Sequence, residues 1–105
     1  MRGMGNMQGM MKKMQKMQKE MEQAQKELNE KEFKGTANGD LVVVTFTGDK
    51  RMTGMTIKPD VIDPEDSGIM EDLILLATND ALEKIDVETE QVMGKYTKGM
   101  NIPGL

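Results

Sequence analysis

The sequence predicts an α+β domain with the element order α-β-β-β-α: a long N-terminal helix, a three-stranded antiparallel meander, and a C-terminal helix or pair of helices. Three observations predict it. Methionines recur with a seven-residue period through the first thirty positions. Asn38-Gly39 stands between two short stretches of strand-forming residues. A broad apolar face with helical spacing begins near Ile69.

The first helix is the most strongly patterned element. Met7, Met14, Met21 and Leu28 form one row, and Met10, Met17 and Ala24 form a second, offset by three. These are the a and d positions of a heptad, the pattern of a helix that packs against another helix. No proline and no β-branched residue falls between Met4 and Glu32, and Gln, Lys and Glu between the rows are good helix formers. From Met7 to Glu32 such a helix is ~39 Å long at ~1.5 Å per residue. The rest of the chain is too short to cover it, so part of it protrudes or meets a second chain. Glu22–Lys26 and Glu27–Lys31 are spaced as i,i+4 ion pairs in the favourable order. Residues 1–6, with Gly3 and Gly5, and residues 100–105, with Pro103-Gly104, are expected to be flexible tails of a single domain spanning 1–105.

Asn38-Gly39 tolerates the positive φ of a type I′ turn. It separates a strand around Glu32 to Ala37 from one at Leu41 to Thr47. In the latter, Val42, Val44 and Phe46 share one face. After the turn Gly48-Asp49-Lys50-Arg51, Met52 to Ile57 makes a third strand with Met55 and Ile57 on one face. A sheet this small needs helical cover. Asp63-Pro64-Glu65-Asp66 has the form of a helix start, with Asp63 as N-cap. Its acids, with Asp60, lack the ligand spacing of an EF-hand. In the next helix Met70, Leu73, Ile74, Ala77, Ala81 and Ile85 form an apolar face. Leu75, Leu76 and Leu82 widen it beyond what a surface helix needs. A symmetric partner chain is the economical cover, and the expected dimer interface is Leu73, Leu75, Leu76 and Leu82. Asp86 to Glu90 reads as a kink or a new start, and Gly99 as the end.

Composition narrows the chemistry. The chain has no cysteine and no histidine, which excludes thiolate chemistry and removes the commonest general base and metal ligand. Ser67 is the only serine, and no glycine-rich loop has P-loop spacing. We therefore expect no catalytic residues, no metal site, no cofactor and no small-molecule substrate. No stretch has the length and apolarity to span a bilayer and no secretory signal opens the chain, so the expected location is cytoplasmic. Aromatic residues are few (Phe33, Phe46, Tyr96), which argues against base-stacking on single strands.

Charge is sorted along the chain. Arg2, Lys12, Lys13, Lys16 and Lys19 are the only charged residues among the first nineteen, while the whole chain carries a net −4. A basic arm on an acidic body can hold a polyanion locally; a solvated helix face is the plainer reading of the same lysines. Lysines one to two turns apart can track successive phosphates. Lys95 and Lys98 join them only if the last helix returns beside the first. The methionine rows read as packing, and alternatively as a groove for an apolar peptide or partner helix, which would make the protein a dimeric adaptor.

Several stretches, in order, resemble the YbaB/EbfC family of bacterial nucleoid-associated proteins. They are Met10-Met11-Lys12-Lys13-Met14-Gln15-Lys16-Met17-Gln18, Gly39-Asp40-Leu41-Val42-Val43-Val44, Ile57-Lys58-Pro59, Met70-Glu71-Asp72-Leu73-Ile74, Ala77-Thr78-Asn79-Asp80-Ala81 and Gly99-Met100-Asn101-Ile102-Pro103-Gly104. The resemblance implies a tweezer-like homodimer whose protruding helices contact double-stranded DNA, with roles in nucleoid organisation and gene expression. The matching positions are Lys12, Lys13, Lys16 and Lys19, with Lys95 and Lys98 on the last helix. The acids Asp86, Glu88 and Glu90 depart from what a DNA-facing helix needs. With no aromatic wedge and no arginine beyond Arg2 in the arm, base reading is poor, so low sequence specificity is expected.

Overall fold

The computed structural model describes residues 2–100, with side chains from 7 to 96. The elements follow the predicted order: α1 (Arg2–Glu30), β1 (Glu32–Ala37), β2 (Val42–Thr47), β3 (Met52–Ile57), a short 3-10 turn (Pro59–Val61) and α2 (Gly68–Met100). The strands form one antiparallel sheet in the order β1-β2-β3. The molecule is elongated, 79 × 27 × 17 Å.

The heptad helix starts earlier than expected, since α1 already includes residues 2–6. Met1 and residues 101–105, the remainder of the expected tails, lie outside the described residues. The β1–β2 connection is also longer than a two-residue turn. Asn38, Gly39 and Asp40 all have positive φ (46°, 65° and 69°), a conformation Asn, Asp and Gly tolerate. Leu41 N–H closes the loop on the Ala37 carbonyl at 3.2 Å, so β2 begins at Val42. Between β2 and β3 the register skips Thr53: Gly54 opposes Thr45, and Met52 opposes Phe46.

Pairing places Val44 opposite Met55 and Val42 opposite Ile57, one continuous apolar face. α2 lies across it. Leu73, Ala77, Ala81 and Ile85 are buried against Phe33, Val42, Val44 and Phe46. The approach is close because Gly35 has no side chain; a Cβ there would stand 2.0 Å from the Ala77 carbonyl oxygen. Gly48 does the same at the end of α1, where its N–H donates to the Lys31 carbonyl at 3.0 Å.

α2 begins at Gly68, within a residue of the expected start of the apolar face near Ile69. The helix start expected at Asp63-Pro64 does not form, and the middle and far end of α2 also differ from expectation. Asp63 instead accepts the Glu65 N–H at 2.9 Å in a local turn, and Asp66 accepts the Gly68 N–H at 3.3 Å. No break occurs at Asp86 to Glu90, and Gly99 does not end the helix, which runs to Met100. Polar residues there mark a change of surroundings along one rod, not a change of backbone.

Candidate nucleic-acid interface

A ladder of contacts fixes where the two helices sit. The Thr36 N–H donates to Asp80 Oδ2 at 3.0 Å, Lys84 Nζ donates to the Lys34 carbonyl at 2.8 Å, and Lys31 Nζ meets Glu88 Oε2 at 2.5 Å. Each step back along the chain meets a step forward along α2. The two elements are therefore antiparallel, and α1 continues backward beside the last turns of α2. An open groove between them is lined by Glu20, Ala24 and Leu28 on one side and Val92, Lys95 and Tyr96 on the other. The last helix does return beside the first.

By the same stepping, Met100 stands level with roughly residue 17, so about 20 Å of α1 reaches beyond α2 at ~1.5 Å per residue. Burial follows this geometry. Leu28 is buried and Met17, Met21 and Ala24 are half-buried, whereas Met7, Met10, Met11 and Met14 are 58–65% exposed.

All four arm lysines are exposed. At ~100° per residue, Lys12, Lys16 and Lys19 fall within an arc of roughly 60°, on the side opposite the methionine rows. Lys13 lies to the side, roughly 100° round from Lys12. Among the described residues none of the four belongs to an ion pair. α2 packs on the methionine side, so the lysine row faces away from the body. Lys95 is exposed on α2, with Nζ 5.1 Å from the centroid of the Tyr96 ring. It lines the groove that Glu20 lines from the α1 side. Arg2 and Lys98 belong to α1 and α2, but their side chains lie outside the described residues.

Two of the acids noted on α2, Glu88 and Asp86, are paired with lysines outside it. Lys31 holds Glu88, and Lys50 Nζ lies 3.1 Å from Asp86 Oδ1. Sequence reasoning missed both pairs, which join residues far apart in the chain and leave no local pattern. It expected Lys31 to pair with Glu27; instead Gln23 donates to Glu27 at 3.2 Å, and the Glu22–Lys26 pair does not form. Asp80 has its carboxyl held below the ordinary value, chiefly by the Thr36 N–H, which with the help of Lys84 outweighs the opposing effect of burial.

The expected dimer-interface leucines divide. Leu73 is 4% exposed and belongs to the chain's own core, because its position on α2 points at the sheet. Leu82 is half-buried against that core. Leu75 and Leu76 are open, at 61% and 55%. Among the described residues, no group of three His, Cys, Asp or Glu side chains is arranged to hold a metal ion, and no helix is long and apolar enough to cross a membrane.

Comparison with known proteins agrees with this architecture. A nucleoid-associated protein of Enterococcus faecalis is 64% identical over 100 residues, covering 95% of this chain and 96% of that one. One of Listeria monocytogenes is 57% identical over the full length of both chains. The nucleoid-associated protein YaaK of Bacillus subtilis is 60% identical over 103 residues, 98% of this chain and 96% of that one. The crystal structure of an uncharacterized Helicobacter pylori protein shares the fold, with a TM-score of 0.68 at 19% identity over 80% of this chain and 88% of that one. The model of the YbaB/EbfC DNA-binding family matches residues 4–100, and the chain belongs to that family of bacterial nucleoid-associated proteins.

Proposed function

We propose that this protein binds duplex DNA in the nucleoid as a homodimer, through phosphate contacts of low sequence specificity, and so affects nucleoid organisation and gene expression. Lys12, Lys16 and Lys19 hold successive phosphates, and Lys13 flanks them. The observation that carries the reading is this row of exposed, unpaired lysines on a helix that extends past an acidic body. Ammonium groups at the ends of flexible stems contact phosphates without reading bases. Support for the dimer comes from the apolar side chains left open on β3 and the start of α2: Met52, Met55, Ile69, Leu75 and Leu76. Exposed large apolar side chains in this number suit an interaction site, and a second copy would cover them symmetrically.

The test is fluorescence anisotropy of two labelled duplexes of unrelated sequence, titrated at several salt concentrations. Binding of similar strength to both, weakening steeply with salt, is expected. Strong preference for one duplex overturns the low specificity. Absence of binding at low salt overturns the DNA reading and leaves the methionine-lined helix as an adaptor surface.

A further inference from the structure

The methionine face of α1 lies opposite the lysine row, so DNA held by the lysines leaves it open. Its a and d rows are continuous with the seam that α1 makes against α2, where Leu28 is covered and Ala24 and Met21 are half-buried. Beyond the end of α2 the same seam carries Met14, Met10 and Met7 and has no cover among the described residues. Where α2 is present, the groove between the helices, about 490 Å³, is lined by Ala24, Leu28, Val92 and Tyr96 together with charged side chains that include Glu20 and Lys95. Each copy therefore has an uncovered apolar rod and an open groove with apolar and charged lining.

We propose that the tips of α1 from two copies pair antiparallel, each tip seated at the groove of the other. Across an antiparallel seam, a positions pack on d positions and g positions meet g positions. Setting Met14 on Met17 of the second copy brings Met10 and Met7 level with the half-buried Met21 and Ala24, on the groove side of α1. In that register Lys13 falls beside Glu20 of the second copy, and symmetry repeats the pair. The alternative register, with Met10 on Met14, brings Lys13 against Lys13 and is opposed by charge. A parallel pair sets Lys13 beside Gln18 and gains no ion pair. Lys12, Lys16 and Lys19 point outward from the seam throughout, so pairing leaves the phosphate row free. This surface is separate from the apolar patch on β3 and α2. If both are used, two dimers are joined arm to arm, and their outward lysine rows present DNA-binding surfaces on opposite sides.

The experiment is sedimentation equilibrium of the full chain without DNA, over a concentration series. Lys13→Glu replaces two attractions by two repulsions and weakens association by about tenfold, given the modest strength of exposed pairs. Adding Glu20→Lys to it restores the association. Lys12→Glu makes the same charge change on the outward row and leaves association unchanged. Equal effects of Lys13→Glu and Lys12→Glu, or no rescue by Glu20→Lys, overturn the pairing. The chain has no cysteine, so a Lys13→Cys, Glu20→Cys variant provides a second readout. It forms a disulfide between copies on mild oxidation, whereas Lys12→Cys, Lys19→Cys does not; the reverse result overturns the register. Repeating the series with Leu75→Glu and Leu76→Glu separates the two surfaces. Arm pairing then persists as a monomer–dimer step, so failure of the apolar-patch dimer and failure of the arm pairing are distinguished.

Discussion

Substituting the lysine row tests the DNA reading most directly, because the helix geometry sets the expected size of the effect. From Lys12 to Lys19 the helix rises ~10.5 Å at ~1.5 Å per residue. One DNA strand advances ~3.4 Å per phosphate, so the row spans roughly three phosphates, and two arms span about six. Each neutralised phosphate contributes about −0.9 to the slope of log affinity against log salt, giving about −5. Affinity then falls about 10³-fold between roughly 50 and 200 mM salt. Changing Lys12, Lys16 and Lys19 to Gln makes the slope shallower by about 5. Lys13→Gln, off the row, changes it by at most about 2 if its two copies each meet a phosphate. The assay is anisotropy at five or more salt concentrations, with circular dichroism as a check on folding. The substituted side chains are exposed and unpaired, so the fold is retained. A slope in the triple variant within about 1 of the original refutes the assignment of phosphates to this row.

Three other outcomes are expected. A Cβ at Gly48 would stand 1.8 Å from the Leu28 carbonyl oxygen, so Gly48→Ala costs about 1–3 kcal/mol in chemical denaturation, while Gly9→Ala, with open space around it, stabilises by up to about 1 kcal/mol. The lowered pKa of Asp80 stabilises the fold above the ordinary carboxylate value, and that contribution is lost as pH falls through the folded value; the stability advantage over Asp80→Asn is therefore expected to shrink on acidification, and an advantage that grows contradicts the sign. Leu75→Glu with Leu76→Glu, both on open surface of the single chain, leaves the helix content seen by circular dichroism nearly unchanged but lowers the molar mass seen by light scattering.

Much of this architecture was legible because single residues carried it. The methionine period predicted a helix that outruns its body, and α1 does so. Alternation through Val42, Val44 and Phe46 predicted which face of β2 is buried. Gly35, isolated within a strand, carried a signal of close backbone approach that composition alone did not bring out. Other features needed three dimensions. Asp63-Pro64 has the chemistry of a helix start, yet its carboxylate satisfies a local turn and the helix waits for Gly68. The acids Asp86 and Glu88 suggested a break, but they are paired with Lys50 and Lys31 from the turn before β3 and the end of α1. Leu73 and Leu76 are both leucines on one apolar helix; only the direction of the sheet decides that the first is core and the second is open. The four arm lysines were found by sign alone, but their division into a row and a flank rests on the helix having no interruption.

The unbroken course of α2 has a mechanical consequence. Its first half is clamped to the sheet through Ile85, and its second half stands free of the sheet as far as Met100. That outboard length is ~22 Å at ~1.5 Å per residue. A rod without a joint behaves as a lever, so a tilt of about 5° at the clamp moves the far end by about 2 Å on that length. The arm therefore has no hinge of its own in α2, and its aim is set by how Ala77 and Ala81 seat on Gly35. Small substitutions at that fulcrum would alter the span between two arms without touching a single basic residue.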